Sequence, residues 1–226
     1  MDKKVKAIKV TDQEKPWEKR KNSYQYDTIR TANKTILITC EGQTEERYFS
    51  KFPIISLSVK CVNLQGQSKM SLVKATQEIL EEEGFSFDEV WCVFDMDINT
   101  HKDFTLFDKS IAKAKSLGYN VAYSNDCFEL WLLLHYKDIQ STQNREYYYE
   151  QLGKCFKMNY VKNGKKIDFC KKLYTLLQED DNSSEAQAIV RAEKLYLRQK
   201  HLPYHQQKPV TLVYQLVRLL NEYKRA

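Results

Sequence analysis

The sequence predicts an α/β fold: a mostly parallel sheet flanked by helices, with a helical C-terminal part. Three observations predict it. Apolar, β-branched runs at 35–40, 58–64, 89–95 and 120–124 are separated by stretches of helical spacing, and strands alternating with helices of that length imply right-handed crossovers and a parallel sheet. The third run, Glu89-Val-Trp-Cys-Val-Phe-Asp95, is almost continuously apolar, as strands covered on both faces are. Beyond residue 126 the pattern changes, and 143–153, 167–178, 184–200 and 209–223 read as amphipathic helices.

The elements follow in order. Residues 1–33 are polar and without periodicity, a basic N-terminal arm. Thr35-Ile-Leu-Ile-Thr-Cys40 is a buried strand closed by Glu41-Gly42. Thr44 is placed to cap a helix with Glu45 and Glu46 in its first turn and Tyr48, Phe49 and Phe52 on one face, and Pro53 stops it. Ser58–Leu64 is a second strand. Ser68 to Glu83 carries Met70, Val73, Ile79 and Leu80 at helical spacing and ends at Gly84. After the third strand, Phe104 to Leu117 is helical and closes at Gly118, and Asn120–Ser124 is a fourth strand. Cys127 to His135 is a strongly apolar helix. Asn163-Gly164 and Leu202-Pro203 mark turns. The expected division is therefore an arm at 1–33, an α/β core at 34–136 and a helical region at 137–226 packing on it.

Composition narrows the class. The 226 residues are 42% hydrophobic and 29% charged without a strict repeat, which excludes collagen-like, coiled-coil and disulfide-scaffold chains. The apolar run Leu130–Leu134 is far too short to span a bilayer, so no membrane association is expected. The lysine-rich start has no apolar signal region, and the six cysteines form no C-x-x-C pair. They read as reduced and structural, with a cytoplasmic location expected. Of the net charge of +6, residues 1–34 supply +5, from ten Lys/Arg against five Asp/Glu. The remainder is nearly neutral and is no basic nucleic-acid clamp by bulk charge. The arm is either a solvated tail or a source of sequence-independent phosphate contacts.

Carboxylates at strand ends carry the chemistry. Glu41 follows the first strand, Asp95 ends the third, and Asp97 lies two residues later. Open α/β sheets build their sites at the carboxyl ends of strands, so three carboxylates converge at one edge. Their repulsion calls for a hard divalent cation with oxygen ligands, Mg²⁺ or Mn²⁺ rather than zinc. Gly42 allows a tight turn beside a ligand. Glu45 is either a further ligand or a helix-start carboxylate favoured by the dipole. Glu129 lies in an apolar helix, where an unpaired charge is expensive; it is a ligand, a carboxylate orienting one, or half of a structural pair. Asn125 and Asp126 share the edge, with Asp126 expected to cap the next helix. Lys102 either neutralises a phosphate in the transition state or is a solvated loop lysine, and His101 beside it is a candidate general base. His135 reads as a core histidine. His201 and His205 are separated by Pro203 and read as no metal pair. Within Tyr147-Tyr148-Tyr149, packing outweighs base stacking. The cluster Lys162, Lys165, Lys166, Lys171 and Lys172 offers phosphate contacts or a solvated face.

Cys40-Glu41-Gly42-Gln43-Thr44-Glu45 resembles the E-G-x-T-E signature of Toprim domains, and Phe94-Asp95-Met96-Asp97 resembles their D-x-D signature. Within that group the chain is most similar to the RloB-like family. Ser124-Asn-Asp-Cys-Phe-Glu-Leu-Trp-Leu-Leu-Leu-His135 matches its N-x-x-F-E-L-W-L-L-L-H stretch, and Lys208–Val217 looks like its closing helix. The resemblance covers roughly residues 34–223. It implies a Toprim-like sheet with Mg²⁺ held by Glu41, Asp95 and Asp97, and by Glu45 as in nuclease-type members. It also implies a metal-dependent nuclease acting on DNA or RNA, in bacterial phage defence or restriction loci. The catalytic set expected is Glu41, Asp95, Asp97, Glu129 and Lys102. The expected partners are nucleic acid and a second copy of the chain or a defence-system protein. The alternative is a sensor subunit whose centre only orders a metal or a phosphate.

Overall fold

In the computed structural model, the structure describes residues 34–54, 57–64, 68–84, 86–97 and 101–224, the side chains at 57, 58, 101 and 102 excepted. The arm at 1–33 lies outside the described residues.

Strands form where the apolar runs predict them. β1 (Lys34–Cys40), β2 (Leu57–Asn63), β3 (Glu89–Asp95) and β4 (Asn120–Asn125) are parallel, and a short β5 (Val210–Thr211) runs antiparallel beside β4. The spatial order is β2-β1-β3-β4-β5. β1 and β3 are central, and Ile36, Leu37, Ile38, Cys40, Cys92, Val93 and Phe94 are buried, as strands with both faces covered must be.

Helices connect the parallel strands. α1 (Gln43–Phe49) joins β1 to β2, α2 (Lys69–Glu83) joins β2 to β3, and α3 (His101–Ser116) joins β3 to β4. With right-handed crossovers, the strand order puts α1 on one face of the sheet and α2 and α3 on the other. The Ser68 hydroxyl caps α2 by accepting from the Ser71 amide at 3.2 Å, and Gly84 ends it at φ +68°. α1 departs from expectation. Its N-cap is Gly42, not Thr44, whose hydroxyl is buried 3.5 Å from the Cys170 sulfur. The helix ends at Phe49, before Pro53 is reached.

After β4 the chain is helical. α4 (Glu129–Leu134) is buried along its whole length. It is followed by α5 (Arg145–Cys155), α6 (Tyr160–Asn163), α7 (Ile167–Cys170), α8 (Leu173–Glu179), α9 (Glu185–Gln199), a 3₁₀ turn at Tyr204–Gln206 and α10 (Val213–Asn221). Three boundaries differ from the periodicity. The helix expected at 167–178 is two, interrupted at Lys171-Lys172, and α6 is too short to leave a periodic signal. The helix expected at 209–223 begins as β5. Pro209 has no amide to donate, the Thr211 hydroxyl sits 3.0 Å from that of Ser124, and the Leu212 amide donates to the Tyr123 carbonyl at 2.8 Å. The chain therefore zips onto β4 before it coils. Among the described residues no helix is long and apolar enough to cross a membrane.

Candidate functional site

The connection after β1 leaves toward β2, while the connection after β3 leaves toward β4. A crevice opens where crossovers diverge in this way, just outside the carboxyl ends of the two strands. Glu41 and Asp95 stand at that point. A cavity of about 510 Å³ lies there, lined by Glu41, Gly42, Gln43, Thr44, Glu45, Asn63, Asp95, Asp97, Glu129, Arg145 and Lys165. The structure thus gathers Glu41, Glu45, Asp95, Asp97 and Glu129 from three separate stretches of the chain, 41–45, 95–97 and 129. Lys102 and His101 open α3, and their side chains lie outside the described residues.

Each carboxylate has a local reason to be there. Glu41 is fixed by its backbone, whose amide donates to the Val93 carbonyl at 3.0 Å, and its Oε2 accepts the Asp95 amide at 3.2 Å. Glu45 is in the first turn of α1 and 5% exposed. Gly42 is needed for contact rather than for turning: its φ of −130° is open to any residue, but a Cβ there would meet Glu45 Oε2 at 2.7 Å. Asp95 is buried at the end of β3, and the Phe128 amide donates to its carboxylate. Asp97 has a positive φ of 42° and turns its carboxylate onto Arg145. Glu129 opens α4 and is fully buried.

Cations enter from the surrounding helices. Lys69 donates to Glu41 Oε1 at 3.0 Å, Arg145 pairs with Asp97, and Lys165 reaches Glu129 Oε1 at 2.6 Å. The Tyr160 hydroxyl lies 3.4 Å from that same Glu129 oxygen. Gln43 Nε2 donates to the Lys165 carbonyl at 2.9 Å, tying the loop between α6 and α7 to the start of α1. Burial raises the pKa of Glu45, with Glu129 and Glu41 adding to it and Lys165 opposing. Asp95 is raised well above the usual carboxylate range by burial, then by Glu45 and Glu129. For Lys165 burial works against the charge, but Glu129, Glu45 and Asp95 outweigh it and hold the ammonium protonated.

Counted formally with every carboxyl ionised, five carboxylates face three cations, a surplus of two negative charges. Glu129 Oε2 is buried without a hydrogen-bond partner, an arrangement that is costly unless something else meets the oxygen. The donor set is all oxygen, which suits a hard divalent cation. Among the described residues no three His, Cys, Asp or Glu side chains are placed to hold a metal ion, and Glu41, Asp97 and Glu129 are each engaged by a cation. The residues therefore fit a divalent ion in chemistry and charge, provided those pairings give way.

A family model described as RloB-like protein matches residues 36–220. The chain belongs to the RloB-like family. No curated protein and no solved structure matches it. The matched residues include β4 and α4, and α4 delivers Glu129 of this RloB-like chain to the cavity. One further expectation is corrected. Asp126 caps nothing: it faces Lys208 at 3.4 Å, and Phe128 occupies the cap position of α4. His205 is paired instead with Asp108, Nδ1 to Oδ2 at 2.7 Å. His135 is a core histidine, and of the three tyrosines Tyr148 is buried. Lys69 and Arg145 were not singled out by sequence, and Lys165 stood only as one of a cluster.

Proposed function

We propose that this RloB-like chain is a Toprim-type, Mg²⁺- or Mn²⁺-dependent nuclease that hydrolyses phosphodiester bonds of DNA or RNA and serves in phage defence. One observation carries the reading: five carboxylates meet in a single cavity at the switch point of a parallel sheet, with one buried oxygen left without a partner. Glu41, Glu45, Asp95 and Asp97 would hold the cation. When bound, it supplies activation of a water and stabilisation of the leaving oxygen. Glu129 would support the site from behind, its Oε1 near the Tyr160 hydroxyl and, before the ion arrives, paired with Lys165. Burial around Asp95 and Glu45 excludes bulk water, which strengthens every charge interaction inside.

The test is titration of Mg²⁺ and Mn²⁺ into the wild type and Asp95→Ala, followed by incubation of each with plasmid DNA and total RNA. Metal-dependent cleavage that falls to background in the variant is expected and identifies the polymer. Cleavage that survives in Asp95→Ala overturns the mechanism. Metal binding without cleavage of either polymer favours the reading as a sensor subunit.

A further inference from the structure

Arg145 and Lys165 differ from Lys69 in how they meet the cavity. The side chain of Lys69 is 18% exposed, those of Arg145 and Lys165 34% and 48%. Both come from the helical region after β4 and both line the cavity, as Lys69 does not. Each sits on a carboxylate that the metal reading also requires, Arg145 on Asp97 and Lys165 on Glu129. A divalent ion brings two positive charges, as many as Arg145 and Lys165 together, so the carboxylates keep the same balance when the two side chains leave. A freed guanidinium has five N–H donors in a fork that matches two phosphate oxygens. Lys162, Lys166, Lys171 and Lys172 are exposed on the same run of short helices that carries Lys165.

We propose that Arg145 and Lys165 are the phosphate clamp of this site, parked on Asp97 and Glu129 in the metal-free protein and transferred to the substrate when the carboxylates take up a divalent cation. The ligand class is a polynucleotide strand rather than a mononucleotide, because four further exposed lysines within seven residues of Lys165 are available to flanking phosphates. The inference rests on the nuclease reading and deepens it.

The experiment uses the full chain, with Arg145→Met and Lys165→Met. Mn²⁺ binding is followed by the paramagnetic resonance of the free ion. Substrate binding is followed by the anisotropy of a fluorescein-labelled, phosphorothioate-linked dodecanucleotide, as DNA and as RNA, in Mn²⁺. Both variants are expected to bind Mn²⁺ at least as tightly as the wild type, because a competitor for the carboxylates is gone. Each is expected to bind the oligonucleotide at least about tenfold more weakly, the loss of one charge-assisted contact. The slope of log K against log salt should fall by about 0.7 for each phosphate contact removed. Weaker Mn²⁺ binding with oligonucleotide affinity and salt slope unchanged overturns the clamp and makes the two residues part of the carboxylate cage. Wild-type binding of both probes by both variants overturns it as well. A wild type that binds no Mn²⁺ overturns the nuclease reading itself, a result distinct from either. If Lys165→Met does not fold because Glu129 is stranded, Arg145→Met and the double change Glu129→Gln, Lys165→Met carry the same test.

Discussion

The two ends of α4 hold buried titratable groups that are alike in one respect and opposite in another. Glu129 at the start and His135 just past the end are both buried, and each leaves one polar atom, Oε2 and Nε2, without a hydrogen-bond partner. Glu129 faces the cavity and has Lys165 beside it. His135 faces the core, where Nδ1 lies 3.0 Å from the Trp131 carbonyl and the ring packs on the Trp131 indole. An unsatisfied atom over a cavity can be met by a ligand. The same defect in the core can be met by nothing, so it becomes a standing penalty on one protonation state. Burial pushes the His135 imidazole down to about 4.

The comparison can be broken at the shaft between the two ends. Trp131 is fully buried and its indole N–H donates to the Tyr48 hydroxyl at 3.1 Å. Trp131→Ala is expected to cost about 3–5 kcal/mol in urea unfolding, the usual range for deleting a buried large aromatic. A loss below about 1 kcal/mol would show that α4 is held by something other than this ring.

The core end is sharpened by pH. The unfolded chain takes a proton on His135 near its ordinary 6.5 and the folded chain only near 4. As pH falls between these values the unfolded state gains the proton, so stability is lost, by about 3 kcal/mol over the full interval. Glu45 and Asp95 are raised and work in the opposite sense, with stability rising as pH falls through their titration. The difference between the wild type and His135→Phe isolates the histidine. The wild-type urea midpoint should fall more steeply between pH 6.5 and 4.5, and parallel curves would refute the assignment.

The cavity end is sharpened by metal. Mn²⁺ at about a hundred times its dissociation constant should stabilise the protein by about 2.7 kcal/mol at pH 8. That gain should shrink as pH is lowered, because protons compete with the ion for the raised Glu45 and Asp95 carboxylates. A gain independent of pH would place the ion elsewhere. The smallest effect on stability is expected from Gly42→Ala. The new Cβ displaces the Glu45 carboxylate, so stability should change by less than about 1 kcal/mol while Mn²⁺ affinity falls measurably. Unchanged affinity would remove Glu45 from the ligand set.

The parallel core was legible because strands buried on both faces must be apolar almost without interruption, and carboxylates such as Glu41 and Asp95 stand out at the ends of such runs. Glu129 was legible for the same reason, as the acid in an otherwise apolar helix. The cations were not. A lysine or arginine on an amphipathic helix is unremarkable in pattern, and the Arg145–Asp97 pairing spans 48 residues of sequence. Lys165 sits in a run of basic residues that all satisfy the same solvated-face reading. β5 escaped because two residues carry no period, and its partner on β4 lies 87 positions away at the Ser124–Thr211 contact.

That small strand has a consequence beyond completing the sheet. β4 would otherwise present its outer row of amides and carbonyls to solvent, an open template on which another chain's strand can register. Val210 and Thr211 take up the carboxyl end of that row, and the Leu212 amide takes the Tyr123 carbonyl. Val210 to Leu212 thus also keep that end of the sheet from recruiting a stranger's strand.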